Sequence, residues 1–316
     1  MYSTLKIFSG NSNKQLAQQI ADYLHRPLGK IDVGPFPNGE TRVEILESVR
    51  GQNVFLIQST SIPANENLME LLLMIDAFKR ASTASVNVVV PFYGYSKQDK
   101  KKTGREPISA RLVADLIEKA GATRIITVEL HSGQIQGFFN IPVDDLSTDQ
   151  LMADYFRQKR IEDLVIVSPD VGGAKRARDA AVNLNAGLAI IDKHRSHYSK
   201  AQAMAVIGDV EGKNCLIFDD FVDTAGSVVE AVQALKKSGA KDVYLFFTHP
   251  VLTQPPAIDR LKGLDVKEIV TTDTIQLPPD KKLPNMTILS TSTLLGETIR
   301  RVAIGESVSE LYKGRK

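Results

Sequence analysis

The 316-residue chain predicts an α/β protein built on mainly parallel sheets flanked by helices. Three observations carry that expectation. Short β-branched and aromatic runs at 54–57, 86–90, 125–128, 164–167, 188–191, 216–218 and 243–247 are apolar apart from Asn87 and Thr127, as strands buried on both faces are. Stretches of helical periodicity at 67–80, 108–119, 174–184 and 228–237 lie between several of them. The chain also echoes itself: Gly51-Gln-Asn53 and Gly212-Lys-Asn214 each open a strand, then a helix, then a Val-rich strand. The echo divides the chain into two related halves meeting near 145–148, giving domains 1–147 and 148–316. No low-complexity linker separates them, which predicts closely packed domains.

Taken in order, the strand ends are where the chemistry gathers. Run 54–57 is followed by neutral Gln58-Ser-Thr60, and run 86–90 by a cationic segment, Lys97 to Arg105, with five cations and one acid. Pro107 then starts a helix. His131 follows run 125–128, and Asp170 follows run 164–167. After Gly172-Gly173, Lys175 and Arg176 sit at a helix start, where cations oppose the dipole and an anionic neighbour is expected. Lys193 and Arg195 follow run 188–191, and polar residues 194–202 read as a mobile loop. Run 216–218 ends in Asp219 and Asp220, then Asp223, Thr224, Ala225, Gly226 and Ser227 lead into a helix with apolar Val228, Val229, Val232 and Leu235. Backbone N–H groups at such a turn, with the positive end of the helix dipole, suit a phosphate. Two carboxylates before that cup suit the vicinal hydroxyls of a sugar. The stretch describes a pocket for a ribose 5-phosphate moiety, in the second half only.

Length allows two domains of ordinary size, and 43% hydrophobic with 24% charged residues is the composition of a soluble globular protein. A net charge of +2 gives no case for nucleic acid. No apolar run approaches the ~20 residues that span a bilayer, and no signal-peptide pattern opens the chain, so a membrane partner is not expected. The single cysteine, Cys215, lies in a strand-like run and reads as a small buried hydrophobe of a cytoplasmic protein. Neither G-x-x-x-x-G-K-[ST] nor G-x-G-x-x-G occurs, so a nucleotide must be held by other means.

The Asp219–Ser227 stretch resembles the ribose-phosphate loop of the type I phosphoribosyltransferase fold. Further segments match the ribose-phosphate pyrophosphokinase family: Phe36-Pro-Asn-Gly-Glu40, Asn67-Leu-Met-Glu-Leu71, Gln98-Asp-Lys-Lys101, Arg105-Glu-Pro-Ile-Ser109, His131 with Gln134-Ile-Gln-Gly-Phe-Phe139, Ser168-Pro-Asp-Val-Gly-Gly173 and Asp192-Lys193. They run nearly end to end in the family's order. The resemblance implies two tandem phosphoribosyltransferase-like domains, an ATP side in 1–147 and a ribose 5-phosphate side in 148–316. It implies transfer of the diphosphoryl group of Mg-ATP to the C1 hydroxyl of ribose 5-phosphate. The products are 5-phosphoribosyl 1-diphosphate, for nucleotide, NAD, histidine and tryptophan biosynthesis, and AMP.

By the same resemblance Lys97, Gln98, Asp99 and Lys100 contact ATP. Phe36, Asn38 and Glu40 reach adenine, from the same subunit or a neighbouring one. Lys193 and Arg195 stabilise the transition state, and Asp219, Asp220, Asp223, Thr224, Ala225, Gly226 and Ser227 bind ribose 5-phosphate. His131 and Asp170 belong to the Mg²⁺ site, where an ion between them would bridge the domains. Ser48, Arg50 and Arg105 match an allosteric phosphate and ADP site, and a homohexamer is the family's assembly. Lys97 replaces the family's usual arginine, Glu129 its aspartate and Ser227 its threonine, while Ser132 and Gly133 depart from its pattern after the histidine. Two rivals are a non-catalytic relative that regulates a true synthase and a plain phosphoribosyltransferase. The retained Lys193, Arg195, His131, Asp170, Asp219 and Asp220 oppose the first, and the two copies of the fold oppose the second.

Overall fold

The computed structural model describes residues 4–194, 203–253 and 255–312. Two compact units divide the chain: Met1–Ser147 with Thr274–Gln276 and Ser290–Lys313, and Thr148–Asp273 with Leu277–Leu289. The first contains β1 (Leu5–Ser9), α1 (Lys14–Tyr23), an antiparallel hairpin of β2 (Ile31–Pro35) and β3 (Thr41–Ile45), β4 (Asn53–Ile57), α2 (Ala64–Arg80), β5 (Ser85–Val90), α3 (Ser109–Ala120), β6 (Arg124–Val128) and β7 (Val143–Leu146). Strands β1-β4-β5-β6-β7 form one parallel sheet in that spatial order.

The second unit runs α4 (Asp149–Lys159), β8 (Leu164–Ser168), α5 (Ala174–Leu184), β9 (Gly187–His194), β10 (Ala203–Ile207), β11 (Asn214–Val222), α6 (Gly226–Lys237), β12 (Val243–Pro250), α7 (Pro255–Lys262), β13 (Glu268–Thr272) and β14 (Met286–Leu289). Its sheet has the order β10-β9-β8-β11-β12-β13-β14, parallel except for edge strand β10. Both sheets bury apolar residues on each face, which is why their strands read as unbroken apolar runs. The α/β class is the one the sequence predicts.

The internal echo is a geometric repeat. Gly51 and Gly212 adopt φ of 70° and 68°, the left-handed region that a side chain resists. Gly51 N donates to Ser82 O at 2.9 Å, and Gly212 N donates to Gly239 O at 2.8 Å. Two residues on, Asn53 Nδ2 donates to Thr4 Oγ1 and Asn214 Nδ2 to Glu162 O. Each tight turn sets its strand, β4 or β11, beside the first strand of its unit, β1 or β8.

The last helix, α8 (Ser292–Ile304), departs from a simple division at 147/148. It packs in the first unit, where Leu295 and Ile299 are fully buried with Ile7, Ile20 and Ile57. Helix α4, which stands after β7 as α8 stands after β14, packs in the second unit through Met152 and Phe156. Each is amphipathic, and an apolar stripe at i, i+4 does not say which sheet it will cover. Leu295→Ala is accordingly expected to destabilise the first unit by about 2–5 kcal/mol. Urea unfolding measures it, and an unchanged midpoint would contradict the packing.

Candidate active site

Strand order places the site before any side chain does. From β8 the chain moves to β9 on one side, then returns to β11 on the other. That reversal opens a crevice beyond the carboxyl ends of β8 and β11, the place where open α/β sheets bind ligands. In the first unit the order advances one way from edge strand β1, and no reversal occurs.

The β11 end carries the acidic pair and the turn. Pairing of β11 with β8 stops at Ile217↔Val167, so Asp219 and Asp220 extend past the neighbouring strand. Helix α6 then starts from Ala225, held at φ 59° with no side-chain cap. The first turn of a helix has N–H groups without internal partners, and Asn, Asp, Ser or Thr usually covers one. Asn13 does so for α1, accepting from Leu16 N at 3.1 Å. Ala225 cannot, and the first helical bond recorded there is Val229 N to Ala225 O at 3.0 Å. The N–H groups of 226–228 therefore have no partner within the helix and stand at the positive end of α6, a cup suited to an anion, with no side-chain cap at Ala225. Arg260 on α7 donates to Thr224 O at 2.7 Å, and Thr253 Oγ1 donates to Asp223 Oδ1, fixing the cup's rim.

Ala225 is the strained residue of this turn. A left-handed conformation costs an L-residue roughly 1–2 kcal/mol, and branching at Cβ makes it worse. Ala225→Val is expected to destabilise the protein by about that amount and to raise KM for an anionic sugar, measured by unfolding and by initial rates. Wild-type values in both assays would show that the turn does not need its alanine.

The two aspartates have different surroundings. Arg176 Nη1, at the start of α5, lies 3.4 Å from Asp220 Oδ1, with Asp220 buried. This is the anionic neighbour that the cation at a helix start leads one to expect. Asp219 Oδ1 accepts from Asp220 N at 2.9 Å. Burial, then the adjacent Asp220 charge, pushes the Asp219 carboxyl well above the usual carboxylate range. At the β8 end, Asp170 Oδ1 accepts from Gly173 N at 2.9 Å, and the Ser168 hydroxyl donates to Asp170 O at 2.6 Å. Gly173 has no room for a side chain, since a Cβ would stand 2.8 Å from Ser168 Oγ.

The corresponding ends of β1 and β4 in the first unit are filled by protein. Gln58, at the position matching Asp219, is fully buried and donates to Glu70 Oε1 at 2.8 Å. Gln58 Oε1 accepts from Ser12 N at 3.1 Å. A Cβ on Gly10 would lie 2.3 Å from Gln58 Oε1. The neutral Gln58-Ser-Thr60 of the sequence is thus a closed crevice.

The other candidates of the first unit lie on several different segments. Phe36, Asn38 and Glu40 form the tip between β2 and β3, closed by Phe36 N to Glu40 O at 2.6 Å, with Phe36 44% exposed. Lys97, Gln98 and Lys100 are exposed and Asp99 half-buried in the irregular segment between β5 and α3. That segment is anchored at both ends: Gln98 N donates to Tyr95 O, and Glu106 accepts from Lys102 N at 2.8 Å and from the Thr103 hydroxyl at 2.8 Å. His131 is exposed beyond β6, while Glu129 turns inward, buried, with Ser147 Oγ donating to it at 2.7 Å. Ser48, Arg50 and Arg105 are exposed in the same unit.

Lys193 lies inside β9, opposite Met204 of β10, so the strand runs two residues past the Asp192 at which the sequence suggests it ends. The apolar Met204-Ala-Val-Ile207 supplies a partner strand that the polar stretch before it hides. Arg195 lies outside the described residues. Arg260 and Thr253 escape sequence reading altogether, because nothing local ties them to a turn 30 or more residues earlier. Cys215 is fully buried and desolvation pushes its thiol up to about 11, in keeping with an inert core residue. No helix among the described residues is long and apolar enough to cross a membrane.

A mainly parallel open sheet with a switch-point crevice, an acidic pair and an uncapped helix N-terminus defines the class: an α/β protein whose second unit presents a crevice at the carboxyl ends of β8 and β11. Residues 5–121 match the N-terminal domain of ribose phosphate pyrophosphokinase, and residues 195–313 match the phosphoribosyl synthetase-associated domain. The chain is 52% identical over 310 residues to a ribose-phosphate pyrophosphokinase of Corynebacterium ammoniagenes, covering 98% of each. It is 53% identical over 311 residues to that of Caldanaerobacter subterraneus subsp. tengcongensis, again with 98% of each covered. A crystal structure of phosphoribosylpyrophosphate synthetase from Mycobacterium smegmatis superposes with a TM-score of 0.91 at 44% identity, over 96% of this chain and 100% of that one. The chain belongs to the ribose-phosphate pyrophosphokinase family.

Proposed function

We propose that this protein transfers the β,γ-diphosphoryl group of Mg-ATP to the C1 hydroxyl of ribose 5-phosphate, releasing 5-phosphoribosyl 1-diphosphate and AMP. The observation that carries this reading is the uncapped start of α6 directly after Asp219 and Asp220. The 5-phosphate accepts from the N–H groups of 226–228, helped by the hydroxyls of Thr224 and Ser227, with Asp223 and Ala225 shaping the cup. Asp220 and Asp219 accept from the ribose hydroxyls, which turns the C1 hydroxyl toward the nucleotide. Family membership selects the reaction, and no feature of the chain favours a non-catalytic relative.

Phosphoryl-type transfer needs in-line placement and neutralised charge more than covalent help. Lys97, Gln98, Asp99 and Lys100 hold the ATP phosphates, while Phe36, Asn38 and Glu40 take the adenine. Lys193 and Arg195 meet the charge that develops on the bridging oxygen. Magnesium suits one or two carboxylates plus substrate phosphates and water. Asp170 fits that demand, being exposed and oriented by Gly173 N, and among the described residues no preformed cluster of three ligands competes with it. Asp170 and His131 are the residues that would hold Mg²⁺, which when bound neutralises the phosphate oxygens. A cytoplasmic homohexamer with allosteric control through Ser48, Arg50 and Arg105 belongs to the same reading.

The test is AMP formation from Mg-ATP in a coupled assay. AMP appearing only when ribose 5-phosphate is present supports the reading. ADP in its place, or AMP without the sugar, would overturn it.

A further inference from the structure

The first unit buries a carboxylate that the proposed chemistry does not use. Glu70 of α2 is 8% exposed, and its oxygens accept from Asn11 N at 2.6 Å, Asn11 Nδ2 at 2.7 Å and Gln58 Nε2 at 2.8 Å. All three donors are neutral. A buried carboxylate without a cation is expensive to keep, so its hydrogen bonds must hold something in place.

Following those bonds outward reaches the hairpin. Asn11 Nδ2, while donating to Glu70, also donates to Val33 O of β2 at 3.2 Å. The carboxylate thus clamps the β1–α1 turn and, through the Asn11 amide, the strand that leads to Phe36. Apolar packing alone does not set the hairpin's position along α2. Ile31, Val33, Val43 and Ile45 are only partly buried against the cluster containing Leu71, Met74 and Phe78. An apolar contact is non-directional and tolerates sliding, whereas two charge-assisted hydrogen bonds from Asn11 to Glu70 fix the amide whose second N–H donates to Val33 O. By the internal repeat, Asn11 occupies the place that Asp170 holds in the second unit. There the β8–α5 turn is left open for substrate, and here the protein's own carboxylate fills the equivalent crevice.

We propose that Glu70 is a positioning residue for nucleotide binding, acting through Asn11 to hold the β2–β3 hairpin and its Phe36 tip. The proposal rests on the reading that this tip takes the adenine. Glu70→Gln keeps the shape, but a side-chain amide turned toward Asn11 N and Asn11 Nδ2 presents donor to donor on one side. Asn11→Ala removes the link to Val33 from an exposed position, while Asn11 N still donates to Glu70.

Steady-state kinetics of the full-length enzyme test it with Phe36→Ala as the reference variant. Expected are a rise of about tenfold in KM for Mg-ATP in both Glu70→Gln and Asn11→Ala, with KM for ribose 5-phosphate and kcat within twofold of wild type. The double variant should be no worse than either single one, since both break one path. Should Phe36→Ala raise KM for Mg-ATP while Glu70→Gln and Asn11→Ala do not, the positioning role is wrong and the adenine assignment stands. Should Phe36→Ala leave KM for Mg-ATP unchanged, the adenine assignment fails first. Parallel loss of kcat and both KM values in Glu70→Gln and Asn11→Ala would mark a merely structural network and overturn the proposal.

Discussion

Lys193→Ala is expected to lower kcat by about 10²–10³-fold while leaving the binding of both substrates nearly unchanged. Charge on the bridging oxygen is complete only in the transition state, so an ammonium proposed to meet it would contribute little to the ground-state complex. Pairing with Met204 places the Lys193 backbone in β9, a strand position rather than a loop. A rigid backbone is what a preorganised cation needs, because reorientation at the moment of reaction would cancel its benefit. Initial rates and calorimetric affinities separate the two effects. A variant with more than half of wild-type turnover would make Lys193 an ordinary surface cation.

The acidic pair yields the second large effect, with opposite signs for function and stability. If Asp219 and Asp220 accept from the sugar hydroxyls as proposed, Asp219→Asn and Asp220→Asn should each cost roughly 1.5–3 kcal/mol, or about 10–100-fold in kcat/KM for ribose 5-phosphate. Calorimetric affinity for Mg-ATP should survive in both. For stability, the Asp219 carboxyl stands above its unfolded value, because burial and then the Asp220 charge disfavour ionisation. An acid raised in this way holds its proton better folded than unfolded, so its ionisation destabilises the fold above the unfolded value near 3.9. Asp219→Asn is therefore expected to raise Tm at pH 7, by roughly 2–4 °C for each kcal/mol relieved. The gain should vanish as pH falls below the unfolded value, where both forms are neutral. Asp220→Asn should not share it, since that change removes a charge partner of Arg176. Equal thermal shifts in the two variants would contradict the asymmetry of the pair.

Much of this was legible from residues alone, for physical reasons that differ by element. Strands buried on both faces leave unbroken apolar runs, so β4, β5, β6, β8, β11 and β12 could be read directly. The strand end and helix start at Asp219–Ser227 were legible because an apolar run gives way to two carboxylates and then to small residues before an amphipathic stretch. The destination of α8 was not legible, since its stripe of Leu295 and Ile299 fits either sheet. Run 188–191 was read as a strand and is β9, but its partner β10 was not legible, because Met204–Ile207 is too short to announce itself. The Glu70 network lay beyond reach for a related reason. Glu70 reads as a polar position on an amphipathic helix, and only the turn after β1 shows what it holds. The same limit hid Arg260, whose bond to Thr224 O spans 36 residues.

Hydrogen–deuterium exchange of the whole protein, with and without ribose 5-phosphate alone, tests most directly whether the second unit holds the sugar phosphate. The N–H groups of 226–228 have no helical partner, so they exchange quickly until an anion covers them. Added ribose 5-phosphate is expected to slow exchange in the first turn of α6 and leave the first turn of α2, after buried Gln58, unchanged. Protection at α2 instead, or none at α6, would contradict the account.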